Sequence, residues 1–285
     1  MNENSRPKTL QINQWLERAT HDLLEVGITS ARLDAEIILA HTLKQPRTYL
    51  HAHGDDEIPE REHEIADARL ALREDRVPIA YIIGHKEFYG RRFSVTTATL
   101  IPRPESETLI EAVKRVVPST ANLLGEEKRR LVDVGTGSGA LGITAKLELP
   151  ELDVTLLDIS RYALGVAERN ARLLKADVTI MISNLLESYP FQADIIVANL
   201  PYVSRDWERS PETNHEPELA LFADDDGLGL IKKLIADTSN HLKIGGHLIL
   251  EADPEQHTRI IRFAGTYGLS RVDINGYAVT LKRDN

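Results

Sequence analysis

Leu131-Val-Asp-Val-Gly-Thr-Gly-Ser-Gly-Ala-Leu-Gly142 reads as an apolar strand that stops in a run of glycines. Gly135, Gly137 and Gly139 let the chain turn tightly and bring backbone N–H groups against a ligand with no Cβ in the way. The helix that follows points its N-terminus at the same place. Strand, glycine turn and helix in that order predict an α/β unit with a ligand at the carboxyl end of a sheet. Asp158 ends the next apolar run, nineteen residues beyond Gly139, where a carboxylate can accept hydrogen bonds from both hydroxyls of a ribose. The unit reads as a site for a nucleoside-bearing cofactor.

Two cofactors compete for it. Gly137-Ser-Gly-Ala-Leu-Gly142 matches the dinucleotide fingerprint G-x-G-x-x-G. The wider form Asp133-x-Gly-x-Gly-x-Gly139 is the one common at S-adenosylmethionine sites, which hold no pyrophosphate. The end of the chain favours the second reading. Arg271 to Ile274, the turn Asn275-Gly276 and Tyr277 to Leu281 form a hairpin signal, which predicts a last strand antiparallel to the others. Such a sheet suits a methyltransferase better than a nicotinamide dehydrogenase.

Outward from the glycine turn, Val154 to Asp158, Val178 to Ile182, Ile195 to Ala198 and His247 to Glu251 are further short apolar runs. With Leu131 to Val134 they predict a parallel sheet covered on both faces by the intervening helical segments. Ser119 to Arg130 reads as a linker loop. On the N-terminal side, residues 8 to about 76 read as a small helical bundle. Ser30 is an N-cap for a helix through Lys44, with Ala35, Ile38, Leu39 and Thr42 on one face. Pro59 suits the first position of another helix, in which Ile65, Ala68 and Leu72 form the apolar stripe. Glu87 to Val95 reads as a short hairpin bridging the two parts, and Ile101-Pro-Arg-Pro-Glu-Ser-Glu107 as a stiff extended loop before a helix to about Val117.

The second chemical motif is Asn199-Leu-Pro-Tyr202, at the carboxyl end of the predicted strand Ile195 to Ala198. A planar amide or amino nitrogen is a poor nucleophile because its lone pair is delocalised. A site that alkylates one must therefore hold the NH2 group and aim its lone pair. The Asn199 side-chain oxygen and the Leu200 carbonyl supply two acceptors, Pro201 stiffens the turn, and Tyr202 offers a flat face for stacking. The proton can leave after alkylation, so no strong base is required.

Composition narrows the field. The 285 residues suit one α/β domain and a smaller companion, and no apolar run is long enough to cross a bilayer. The N-terminal residues lack the apolar segment of a secretory signal, which predicts a cytoplasmic location. Absence of cysteine excludes disulfides, zinc-thiolate sites and a cysteine nucleophile. A net charge of -10 argues against strong nucleic-acid binding. His51, His53 and His63 lack metal-ligand spacing, and Asp224-Asp-Asp226 lacks the twelve-residue calcium pattern, so no metal is expected.

The Ile101 to Glu107 loop, Gly135 to Gly139, Asp158-Ile-Ser160, Asn199 to Tyr202 and Glu216-Pro217 come in this order. In that arrangement the chain resembles the HemK-like glutamine methyltransferases, closest to the peptide chain release factor branch. The resemblance implies a class I (Rossmann-like) methyltransferase sheet with an antiparallel last strand over residues 98–285. It further implies a helical substrate-recognition domain over 1–80 and a hairpin linker over 81–97. The implied reaction moves the methyl group of S-adenosylmethionine to the glutamine amide of the Gly-Gly-Gln motif in class I release factors. Gly135, Thr136, Gly137, Ser138, Gly139, Asp158, Leu185 and Asn199 are then expected at the cofactor. Asn199, Leu200, Pro201 and Tyr202 are expected at the glutamine, with Asn199 and Tyr202 catalytic. Leu200 replaces a proline usual in that family, and Asn184 stands where relatives usually carry an aspartate facing the adenine. The alternatives are glutamine methylation of a ribosomal protein and adenine methylation of ribosomal RNA, whose enzymes share the Asn-Leu-Pro-Tyr form. Some of Arg91, Arg92 and Arg103 are expected to contact the protein substrate or the RNA near it.

Overall fold

The computed structural model describes residues 10–117, 128–202, 210–221 and 224–284, the side chain of Leu219 apart. The chain divides into two units, Met1–Gly84 with Ser210–His215, and His85–Arg209 with Glu216–Asn285. No helix among the described residues is long and apolar enough to cross a membrane.

The first unit is helical: α1 (Ile12–Glu25), α2 (Ala31–Leu43), α3 (Arg47–Ala52), α4 (Glu60–Glu74) and α5 (Ile79–Ile83). Its core gathers Trp15, Leu16 and Leu23 of α1, Ile38 and Leu39 of α2, Leu50 of α3, and Ala66 and Leu70 of α4. Trp15 satisfies its buried N–H by donating to Asp67 at 2.7 Å. In α2 the expected face is buried, Ala35, Ile38, Leu39 and Thr42 together, and the helix stops where Lys44 turns left-handed. Ser30 occupies the N-cap, but its hydroxyl donates to the Asp34 carboxylate at 3.0 Å.

Helix α4 departs from expectation. Pro59 is its N-cap residue rather than its first helical one, and the expected stripe faces outward, with Ile65 36% and Leu72 47% exposed. The buried positions are Ala66, Leu70 and Arg73, a rotation of about 100° from the apolar spacing. A charge sets it. Arg73, 6% exposed, donates to Asp34 of α2 at 2.8 Å and to Glu212 at 3.1 Å. Presenting that guanidinium to its acids outweighs burying Ile65 and Leu72, because an unpaired buried charge costs more than two half-exposed side chains gain. Burial raises Glu212, but the Ser210 hydroxyl, the backbone and Arg73 more than offset it and hold the carboxyl at about 2.

The second unit is built on a seven-stranded sheet. Its elements begin with the hairpin β1 (His85–Phe88) and β2 (Arg91–Ser94), then α6 (Glu107–Val116), β3 (Arg130–Val134), α7 (Ala140–Glu148), β4 (Asp153–Asp158) and α8 (Arg161–Leu174). They continue with β5 (Thr179–Ile182), β6 (Ala193–Ala198), α9 (Glu218–Leu221), α10 (Gly229–His241), β7 (Leu242–Glu251), α11 (His257–Gly265), β8 (Leu269–Asn275) and β9 (Ala278–Arg283). The order across the sheet is β5-β4-β3-β6-β7-β9-β8. The first five are mutually parallel, and β9 pairs antiparallel with both β7 and β8, as the Asn275-Gly276 turn predicts.

Period-two alternation gives each strand two faces. Leu131, Val154, Leu156, Ile195, Val197 and Ile249 pack against α6, α7 and α8, whereas Val132, Val134, Ile196, Ala198, Leu248 and Leu250 pack against α10 and α11. Strand β5 is an edge strand and is only half covered, Ile182 being 44% exposed, so the expectation of cover on both faces fails there. The hairpin belongs to the α6–α8 face, with Phe88 and Phe93 buried edge to face at 6.1 Å. Asn170 of α8 fixes it, exchanging two hydrogen bonds with the Ser94 backbone and donating a third to the Ser138 carbonyl. The Ile101 to Glu107 segment is extended only to Arg103. Pro104 then opens a single 3-10 turn, Pro104–Ser106, that leads into α6. Of the expected linker from Ser119 to Arg130, residues 119–127 lie outside the described residues and Arg130 begins β3.

Removing the guanidinium in Arg73→Ala should cost about 3–5 kcal/mol, because Asp34 is left buried without its cation. The double variant Asp34→Ala/Arg73→Ala should lose less than the sum of the single variants. Urea unfolding of the three variants measures both quantities.

Candidate functional site

Strands β3 and β6 are neighbours, yet the chain leaves β3 toward β4 on one side and returns to β6 on the other. That reversal opens a crevice at the carboxyl ends of the strands. A cavity of about 280 Å³ lies there, with one segment from each of four parallel strands, β3, β4, β5 and β6, on its wall. Gly135, Thr136, Gly137 and Ser138 follow β3, Asp158, Ile159 and Ser160 end β4, Ser183, Asn184 and Leu185 follow β5, and Asn199, Leu200 and Pro201 follow β6. Of the residues expected at the site, Gly139 and Tyr202 do not line the cavity. Gly139 is the N-cap of α7, and Tyr202 is half-buried against the core below.

Asp133 shapes the glycine turn from below. It is 1% exposed, and its Oδ2 accepts from the Thr136 hydroxyl at 2.6 Å and from the Gly142 N–H at 2.9 Å. Its Oδ1 has no hydrogen-bond partner among the described residues. Burial pushes this carboxyl up to about 6 despite those two bonds, and the neighbouring Asp158 adds to the rise. Asp158 is also raised, by burial first, while the Ser160, Gly137 and Ile159 backbones work to lower it. Its two oxygens accept from the Gly137 and Ser160 N–H groups at 2.9 and 2.8 Å. Each oxygen keeps a second lone pair for a ligand hydroxyl.

An S-adenosyl group fits these residues. A Cβ at Gly137 would meet nothing within 4 Å, so the turn faces open space. Among the described residues no Lys, Arg or His lines the cavity, which disfavours a pyrophosphate and favours a cationic ligand. Asn184 donates to Glu187 at 2.7 Å through its Nδ2, which leaves the amide oxygen free to accept.

The tetrad is packed directly on the glycine turn. Leu200, 4% exposed, sends its Cδ2 to 2.9 Å from where a Cβ on Gly135 would stand. Asn199 donates from Nδ2 to the Ser106 hydroxyl oxygen at 3.0 Å, and no donor among the described residues reaches its Oδ1. Tyr202 donates its O–H to Glu251 at 3.1 Å, and burial pushes its phenol far above the ordinary range. The flat face expected for stacking is therefore not among the cavity's surfaces. The Tyr202 carbonyl accepts from Gln256 at 3.0 Å. It also lies 1.9 Å from the place of any Cβ on Gly227, whose φ of +82° is left-handed, so only glycine serves there.

The proline-arginine loop also lines the cavity, through Pro102 and Ser106. Glu216, 5% exposed, anchors it by accepting from the Ile101 N–H at 3.2 Å and from the Arg103 guanidinium. Arg91 is paired with Glu148 at 2.5 Å, and Arg92 bonds the His85 ring at 2.9 Å. Arg91 and Arg103 are thus tied to acids of their own unit. No group of metal-binding side chains occurs among the described residues; His53 pairs with Asp56, and Asp225 and Asp226 pair with Lys232 and Arg259. Sequence reasoning missed Ser106, Glu251 and Gln256 as parts of the site. For Glu251 a signal existed, a carboxylate at the carboxyl end of an apolar strand.

Family models match in two places, PrmC N-terminal domain over residues 14–84 and Methyltransferase small domain over residues 114–215. A release factor glutamine methyltransferase of Koribacter versatilis is 38% identical over 255 residues, covering 86% of this chain and 89% of that protein. One of Deinococcus radiodurans is 35% identical over 277 residues, covering 94% and 96%. Among solved structures, a methyltransferase from Pyrococcus furiosus superposes with a TM-score of 0.51 at 16% identity, over 77% of this chain and 98% of that one, and shares the fold.

Asp133 makes stability depend on pH in a definite direction. Unfolded, its carboxyl titrates near 3.8; folded, near 6. Between these values the folded state keeps a proton that the unfolded state has lost, so stability falls as pH rises through the window, by about 3 kcal/mol in all. Asp133→Asn cannot ionise and should lack this decline. The thermal midpoint of the variant, measured without ligand, should gain on that of the parent from pH 4 to pH 7, and a constant difference would exclude the assignment.

Proposed function

The chain belongs to the release factor glutamine methyltransferases, and from that premise we propose that Asn199 and Leu200 hold the target amide while the glycine turn and Asp158 hold S-adenosylmethionine. The reaction is transfer of a methyl group from S-adenosylmethionine to a glutamine side chain of a release factor. The Gly-Gly-Gln motif of class I release factors is the proposed site. The observation that carries this reading is the shared cavity, in which the Asn199 tetrad and the Asp158 end of β4 face the same space.

S-adenosylmethionine, when bound, supplies an electrophilic methyl carbon on a sulfonium. The Gly135 to Ser138 turn and Asp158 fix its nucleoside. Asn199 Oδ1 and the Leu200 carbonyl each accept one N–H of the incoming amide, which aims the nitrogen lone pair into the cavity. Positive charge grows on that nitrogen during transfer, and two acceptor dipoles pointing at its hydrogens stabilise the growth. The surrounding field agrees, because Asp133, Asp158 and Glu251 stand around the site with no lining cation among the described residues. After transfer the amide proton is acidic enough to leave to water.

Labelled S-adenosylmethionine incubated with the protein, a purified release factor and ribosomal RNA tests the target. Label is expected on the release factor and not on its variant with the Gly-Gly-Gln glutamine replaced; label on RNA would overturn the reading. Asn199→Ala should lower single-turnover rates about 100-fold or more while cofactor affinity changes little. Asp158→Ala should do the reverse, weakening cofactor binding about tenfold or more in calorimetry.

A further inference from the structure

We infer that Ser106, oriented by the buried carboxylate of Glu251, is a positioning residue that keeps the oxygen of Asn199 turned toward the substrate amide. The inference rests on the proposed role of Asn199. An asparagine amide can sit in its plane in two ways that differ by a half-turn, with little change in shape. With Oδ1 toward the cavity it accepts from the glutamine NH2. With Nδ2 there, two N–H donors confront each other and the amide cannot be held. Something in the protein must choose between the two.

Ser106 is the contact that chooses. It closes the Pro104–Ser106 turn, is 3% exposed, and its Oγ lies 3.0 Å from Asn199 Nδ2. A hydroxyl alone does not discriminate, since it can accept from Nδ2 or donate to Oδ1 with equal ease. Glu251 breaks that symmetry. It ends β7 at 1% exposure, and as a carboxylate it can only accept. Its Oε1 accepts from the Tyr202 O–H at 3.1 Å, while its Oε2 is buried with no hydrogen bond of full geometry.

Burial and the nearby Glu105 raise this carboxyl, and hydrogen bonding from Ser106, Tyr202 and Asn199 offsets that rise only in part. A negative charge on that side draws the Ser106 proton toward itself and leaves the serine lone pair facing Asn199. It also attracts the Asn199 NH2 end and repels its oxygen. Both effects select the same amide orientation.

The test compares Ser106→Ala, Ser106→Thr, Glu251→Gln and Asn199→Ala, and the first and third of these combined with Asn199→Ala. Single-turnover methyl transfer to a release factor and cofactor affinity by calorimetry are the readouts. Loss of one orienting hydrogen bond should lower the transfer rate of Ser106→Ala about tenfold and leave cofactor affinity within about threefold. Ser106→Thr keeps the hydroxyl and should recover most of the rate. In the Asn199→Ala background, Ser106→Ala should cost less than about twofold more, because a residue acting through Asn199 has nothing left to orient, and Glu251→Gln should lose the part of its effect that passes through Asn199. The same tenfold loss in that background, or full activity of both Ser106→Ala and Glu251→Gln, would overturn the inference. If Ser106→Ala fails to fold, the near-isosteric Glu251→Gln decides alone. Full activity of Asn199→Ala would instead overturn the proposed role of Asn199.

Discussion

Val134 and Ala198 stand opposite one another at the carboxyl ends of two neighbouring parallel strands, and everything at the site follows from that register. The residue after Val134 begins the glycine turn; the residue after Ala198 is Asn199. Adjacent strands lie about 4.8 Å apart, so cofactor turn and target tetrad emerge side by side without any long-range adjustment. The contact of Leu200 with Gly135 is a direct consequence. A slip of one residue in β6 would send Asn199 to the opposite face of the sheet. The slip is prevented by the alternation itself, since Ile195 and Val197 would exchange places with Ile196 and Ala198 between the two helical layers.

The second organising feature is negative charge with little to balance it. Asp133 and Glu251 are each 1% exposed, and each ends or nearly ends a strand. Burial raises both acids, which is a cost to folding at neutral pH. Strain of this kind concentrates where a protein binds or reacts. A cationic sulfonium and an amide nitrogen becoming positive are the partners such a field stabilises. The same field opposes a dinucleotide pyrophosphate, so it separates the two cofactors that the glycine spacing alone leaves in competition.

Much of this is legible in the sequence, for a physical reason. Strands buried on both faces must be apolar runs, glycine turns need glycine, and an Asn-Gly turn closes a two-residue hairpin whatever surrounds it. These signals are local, and β3, β4, β6, β7 and the β8–β9 hairpin fall where they point. What the sequence hides is pairing at a distance. The burial of Arg73 in place of Leu72 depends on Asp34 and Glu212, which lie 39 and 139 residues away. Asn199 is legible as an acceptor because its position is local to β6. Its hydrogen bond to Ser106, 93 residues earlier, is not.

The same distinction explains how a leucine is accommodated where the resemblance leads one to expect a proline. Proline at that position would restrict one backbone dihedral and stiffen the tetrad from within. Here stiffness is supplied from outside. The Leu200 side chain is buried against Gly135, Pro201 still fixes the next φ, and the Tyr202 carbonyl is trapped between the Gln256 amide and the close approach of Gly227. Gln256 bonds the Asp226 carbonyl with the same nitrogen, at 2.9 Å, so the clamp ties the tetrad to the turn that leads into α10. The Leu200 carbonyl is thereby bracketed by anchored residues on both sides, Asn199 through Ser106 and Tyr202 through Gln256 and Glu251. A backbone acceptor needs a fixed position rather than a particular side chain. Long-range contacts hold the peptide that the missing ring would otherwise have held.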